Sequence, residues 1–223
     1  VTAVAIPVDP VQVMVSGLYQ RPERATALYV LGHGAGAGMR HPFLADMADA
    51  LARHGIATLR YQFPYMETGS SRPDSPNVAV ATVQSAVQRA AELAPDLPLI
   101  AGGKSFGGRM TSTAAARLQL PRVRGLAFLG FPLHPPKKPS VARAEHLDLV
   151  TVPMLFLQGT RDDLADLALM TEVVARLGKS ATMEIIDQAN HAFEVPKRTG
   201  RSRGEVIEGL AAAIARWSAG LPA

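Results

Sequence analysis

The sequence predicts an α/β protein: a mostly parallel sheet with helices packed on both faces. Two observations carry this. Short apolar runs rich in Val, Ile, Leu and aromatics alternate with helical segments of ten or more residues. The chain of 223 residues has no internal repeat and no long linker, so one domain over 1–223 is expected.

The strands are read in order. VQVMVSGLYQ (11–20) alternates and suits an antiparallel or edge strand. ALYVLGHG (27–34) is continuously apolar and suits a central one. GIATLRYQ (55–62), LPLIAGG (97–103), VRGLAFLGF (123–131), VPMLFLQG (152–159) and ATMEIID (181–187) complete the set. Helices are expected at 43–55, 75–94, 106–119, 163–178 and 204–220. Several of these end in glycine, and the second has proline near its start. The long stretch 132–151 contains four prolines, enough to forbid a regular helix in its first half. It is too short for a separate cap domain, so a rim or minimal cap is expected.

Composition excludes several classes. Apolar residues at 48% and charged residues at 19% are a globular balance. No apolar run is long enough to span a membrane. The start, VTAVAIPVDP, lacks the basic-then-apolar layout of a secretory signal, and a cytoplasmic location is expected; a leader already removed would leave no trace. The absence of cysteine excludes disulfides, thiolate metal sites and a cysteine nucleophile. The net charge is +4. The densest basic cluster, 197–203, contains no aromatic residue on which bases would stack, so a solvated loop is expected and no nucleic-acid partner.

Ligands of open α/β sheets bind beyond the carboxyl ends of the strands. The residues just beyond each strand are therefore informative. LPLIAGG runs into Lys104-Ser105-Phe106-Gly107, giving G-x-S-x-G between a strand and a helix. The turn is sharp, and side chains at its glycines would clash. A phosphate-binding Walker loop is excluded, because Pro98 stands where its first glycine belongs.

A serine nucleophile needs a base and an orienting acid. Of six histidines, His191 comes after the last strand, in QANHAF. His54 reads as a helix cap and His33 as structural; His41, His134 and His146 read as loop or rim residues. Asp162 stands at the mouth of the strand 152–159. The competing role there is a helix N-cap, which Asp163 relieves by taking the helix start. Which of the two aspartates orients the histidine is left open. The order Ser105, Asp162, His191 is that of an α/β-hydrolase. The backbone N–H of Phe106 and that of Ala35, or alternatively Gly36, would hold an oxyanion. Gly36, Tyr65 and Met66 are candidate substrate contacts. Arg109 reads as a structural ion pair.

HGAGAGM (33–39), FPYMETG (63–69), GGKSFGGRM (102–110), GTRD (159–162) and NHAF (190–193) together resemble a small α/β-hydrolase group. That group is related to the dienelactone hydrolases and includes the testis-expressed protein 30 type. The resemblance spans roughly residues 25–218. It implies the α/β-hydrolase fold and maps nucleophile, acid and base onto Ser105, Asp162 and His191. The expected function is a serine hydrolase cleaving a small or medium carboxylic ester or thioester, with no metal or organic cofactor. Dienelactone as substrate is disfavoured, because true dienelactone hydrolases use cysteine. The alternative is a non-catalytic hydrolase-fold scaffold.

Overall fold

The computed structural model describes residues 1–9 and 11–222. Its strands are β1 (Thr2–Val8), β2 (Val13–Gln20), β3 (Ala27–Gly32), β4 (Ile56–Tyr61), β5 (Leu99–Lys104), β6 (Val123–Leu129), β7 (Met154–Arg161) and β8 (Ala181–Asn190). They form one sheet in the order β1-β2-β4-β3-β5-β6-β7-β8. β2 runs antiparallel to both its neighbours, and β3 to β8 are mutually parallel.

All seven expected strands form. β1 is additional: its alternation is weak, with only Ile6 and Val8 fully buried, and Pro7 is tolerated because the strand lies on an edge. β1 covers β2, so β2 is antiparallel without being the edge. β8 is three residues longer than expected and half-exposed, as an edge strand can be.

The helices are α1 (Pro42–Arg53), α2 (Pro64–Glu67), α3 (Pro76–Leu93), α4 (Phe106–Arg117), α5 (Leu167–Leu177) and α6 (Arg203–Ala219). Strand side chains alternate between two cores. Leu28 and Val30 of β3 face the core shared with α3, α4 and α5. Tyr29 and Leu31 face the one shared with α1 and α6. Helices therefore cover both faces, as the alternation of elements predicts.

Two boundaries differ from expectation. α5 starts at Leu167, capped by the Asp166 side chain, and not at Asp163, which is exposed. The intervening residues form a turn held by the Asp162 carboxylate, which accepts from Leu164 N–H at 2.9 Å. The 132–151 segment contains a 3-10 helix, Ala142–Leu149, that packs on α4 through buried Ala144 and Leu147. It is docked onto the body and does not arch over it.

The chain leaves β3 for β4 on one side and returns through α3 to β5 on the other. The carboxyl ends of β3 and β5 thus border a topological switch point, where the connecting loops diverge and leave a crevice. The glycines there are required by close approach. A Cβ on Gly107 would stand 2.4 Å from Gly32 C, and one on Gly103 would stand 2.3 Å from Gly32 O. No relaxation of a side chain relieves a clash with backbone. Gly107→Ala is expected to destabilise the protein by about 2–4 kcal/mol, on the scale of severe overpacking. Gly209→Ala, inside α6 with nothing within 4 Å, is expected to stabilise it by about 0.5–1 kcal/mol. Urea unfolding of the two variants checks the contrast.

Candidate active site

Ser105 stands between β5 and α4 with φ 49° and ψ −112°, a conformation non-glycine residues rarely adopt. The surroundings enforce it. Ser105 N–H donates to Leu129 O at 3.2 Å, Gly107 N–H to His33 O at 3.0 Å, and Arg109 N–H to Ser105 O at 3.0 Å. Backbone strain of this kind, of order 1–3 kcal/mol, persists only where packing over-determines it. Here it lifts the hydroxyl out of α4 toward the crevice.

His191 arrives from the loop after β8. Asn190 Oδ1 accepts from the N–H groups of Ala192 (3.0 Å) and Glu194 (2.9 Å), which folds the loop back on itself. Phe193 stacks on Phe43 of α1 with ring centroids 5.8 Å apart, pinning the loop to the body. His191 Nε2 lies 2.9 Å from Ser105 Oγ, and Nδ1 lies 2.9 and 2.8 Å from the two Asp162 oxygens. A carboxylate can only accept, so Nδ1 carries the proton and Nε2 is left to accept the Ser105 O–H.

The Asp162 side chain is 1% exposed, against 22% for His191. A buried carboxylate must be satisfied by donors. Gln158 Nε2 donates to Oδ2 at 2.6 Å and Leu164 N–H to Oδ1 at 2.9 Å. The Gln158 amide is itself fixed, because its oxygen accepts from Phe131 N–H at 3.1 Å. Burial pushes the Asp162 carboxyl up; the hydrogen bond and charge of His191, the Leu164 N–H and the Lys104 charge outweigh it and hold the carboxyl below its ordinary value. Of the two aspartates, Asp162 meets the histidine. The sequence reading does not single out Gln158, although a glutamine ending the apolar run MLFLQ is an available signal.

The 33–39 loop is tied down by its neighbours. His33 Nε2 accepts from Phe63 N–H at 3.1 Å, so Nδ1–H donates to Gly34 O at 2.8 Å. Burial pulls His33 down to about 4, and it stays neutral. Gly36 N–H donates to Tyr65 Oη at 2.9 Å, and Met39 N–H to Gln62 Oε1 at 2.8 Å. Among the described residues, the N–H groups of Ala35 and Phe106 donate to no acceptor. Gly36 is therefore occupied where Ala35 is free.

A mostly apolar cavity of about 320 Å³ opens beside Ser105 and His191. Its walls include Ala35, Ala37, His41, Phe43, Leu44 and Leu164. Tyr65, Met66 and Gly36, expected as substrate contacts, are not among its lining residues. Tyr65 is 4% exposed and braces the 33–39 loop from behind, and Met66 Cε lies 3.3 Å from where a Gly38 Cβ would stand. Phe43, Leu44 and Leu164 escape a sequence reading because helix-face periodicity marks a residue as apolar without saying which end of the helix meets a crevice.

Other expectations resolve differently. His134 is buried, with Nε2 accepting from Asp166 N–H at 2.8 Å. His54 caps α1 and pairs with Glu208 at 2.7 Å. Arg109 forms no ion pair among the described residues; burial, then nearby Arg143, lowers its pKa. Residues 197–202 of the basic cluster form a solvated turn before α6, and Arg203, the first residue of α6, pairs with Asp46 at 2.7 Å. A second serine–histidine contact, Ser112 Oγ to His146 Nε2 at 2.7 Å, is of another kind. The Ser112 hydroxyl donates to Arg109 O at 2.9 Å, so it accepts from His146, and Ser112 is fully buried. It fastens the 3-10 helix to α4. Among the described residues, no helix is long and apolar enough to cross a membrane, and no group of three or more His, Cys, Asp and Glu is placed to hold a metal ion.

Comparison with known proteins agrees with this architecture. Residues 25–219 match the model of an alpha/beta hydrolase domain. The structure is similar to a dienelactone hydrolase from Anabaena variabilis at 22% identity and a TM-score of 0.79, covering 100% of this chain and 98% of that one. It is also similar to an α/β serine hydrolase without a lid from Xanthomonas campestris (20% identity, TM-score 0.73, covering 100% and 95%). A third is Est1E from Butyrivibrio proteoclasticus (16% identity, TM-score 0.72, covering 97% and 99%). The family model takes in both the G-x-S-x-G turn and the NHAF loop, and the fold is shared over nearly the full length of each chain: this protein belongs to the α/β-hydrolase family.

Proposed function

We propose that this protein is a serine hydrolase that cleaves a carboxylic ester, or a thioester, of small to medium size through an acyl-enzyme. The observation that carries the reading is the unbroken hydrogen-bond chain from Ser105 Oγ through His191 to the buried Asp162. In this reading His191 Nε2 takes the Ser105 proton as Oγ attacks the carbonyl carbon. Asp162 holds the imidazole in the required tautomer and stabilises the imidazolium. The free N–H groups of Ala35 and Phe106 bind the oxyanion, and the N-terminus of α4 adds its partial positive charge. His191 then protonates the leaving group, and water repeats the sequence on the acyl-serine.

The cavity supports the substrate class. At about 320 Å³ it is near the lower end of small-molecule sites and mostly apolar, which suits a short acyl or alkyl group. With the 132–151 segment docked on α4, no lid among the described residues restricts entry. The structural neighbours point the same way: one is described as a serine hydrolase without a lid, and Est1E has been solved with ferulic acid bound.

A fluorophosphonate probe is expected to modify Ser105 and no other residue, with the adduct located by mass spectrometry and absent in Ser105→Ala. Wild-type protein that stays unlabelled while a control hydrolase is labelled would leave the scaffold reading in its place. Asp162→Asn keeps the shape and loses the charge that fixes the tautomer. It is expected to lower kcat by roughly 10²–10⁴ with little change in KM. Steady-state kinetics on short p-nitrophenyl esters measures both.

A further inference from the structure

Lys104 immediately precedes Ser105 at the end of β5. Its stem is partly exposed along the cavity, with Cγ 3.6 Å from where a Gly34 Cβ would stand. Its amine turns inward. Nζ is buried and, among the described residues, has no hydrogen-bond partner. An ammonium in that position is poorly solvated, and something must compensate it.

Its neighbours are charged. A Cβ built on Gly130, in the loop after β6, would stand 3.1 Å from Lys104 Nζ, 3.4 Å from Asp162 Oδ2 and 3.5 Å from His191 Nδ1. The missing side chain at 130 leaves a gap across which ammonium, carboxylate and imidazole face one another. The Phe193 ring centroid lies 5.4 Å from Nζ, close enough for the ring face to attract the cation. The loop after β6 presents Gly130 to the amine, without charge, while Gly34 of the loop after β3 faces only the stem. The loops after β7 and β8 present Asp162 and His191. His41, before α1, borders the same cavity.

We infer that Lys104 is a positioning residue acting through charge: its ammonium, facing the Asp162 carboxylate across the gap at Gly130, keeps Asp162 ionised, so that the carboxylate goes on holding the His191 imidazole toward Ser105. The inference concerns the charge balance of this site, and its role in turnover rests on the serine-hydrolase reading above. Burial pulls Lys104 down to about 8, with Asp162 opposing the fall. The folded-state value is thus below that of a free lysine. Its charge weakens the fold below about pH 8, and this penalty is relieved as pH rises toward the ordinary lysine range.

Side-chain carboxyl ¹³C NMR titration of the aspartates in wild type, Lys104→Met and Lys104→Arg tests the inference without requiring activity. In Lys104→Met the midpoint of Asp162 is expected to rise by about 0.5–1 unit relative to wild type, the scale of an opposite charge withdrawn from a partly screened site. Lys104→Arg should stay close to wild type. At pH 7, Lys104→Met and Lys104→Gln should melt no lower than wild type, because each removes an unpartnered buried charge. An unchanged Asp162 midpoint in a folded Lys104→Met, or Met and Gln variants that both melt well below wild type, would overturn the inference and leave Lys104 a packing residue. A wild-type Ser105 that does not label would instead defeat the serine-hydrolase reading, while the titration still decides the role of Lys104.

Discussion

Three glycine backbones packed without room for a single methyl group, Gly32, Gly103 and Gly107, are what the site rests on. They bring the first turn of α4 against the end of β3. Once the helix starts there, Ser105 has no relaxed conformation available, and its hydroxyl is held above the crevice. The same contact sets the 33–39 loop beside the serine, because Gly107 N–H is bonded to His33 O. Ser105 and the Ala35 N–H are therefore placed by one packing event, and the two glycines that weaken α4 as an isolated helix are the condition for its position.

Around that frame the site is organised by one buried negative charge. Asp162 receives Gln158, Leu164 N–H and His191 as donors and Lys104 as a neighbouring cation. Each donor is anchored in turn: Gln158 by Phe131, and His191 by the Asn190 turn and the Phe43–Phe193 stack. Such a network is worth its burial only when every member is satisfied. This is also why α5 begins late: the turn that wraps the carboxylate uses the residues the periodicity would have given to the helix.

Legibility in the sequence tracks the length scale of the signal. The strands β3 to β7 are readable because a strand buried on both faces must be continuously apolar, and ALYVLG and MLFLQG are. β1 is not, because an edge strand with one weakly buried face leaves little pattern. Ser105, Asp162 and His191 can be picked out because the sheet places functional groups at strand ends, so position along the chain carries the information. The cavity walls, the brace formed by Tyr65 and the inward turn of the Lys104 amine depend on which loops meet across the crevice. That is a tertiary fact without a local signature. Arg109 shows the same limit: a cation on the elbow helix suggests an ion pair, but among the described residues no carboxylate pairs with it.

The central claim is that Ser105 becomes acylated during turnover, and rapid acid quenching tests it most directly. Protein mixed with excess p-nitrophenyl acetate and quenched within the first turnover should carry an acetyl group on Ser105, with a burst of p-nitrophenol equal to the protein concentration where deacylation is slower. Ester turnover with no acyl group on Ser105 under conditions that show a burst, or turnover that persists undiminished in Ser105→Ala, would contradict the account.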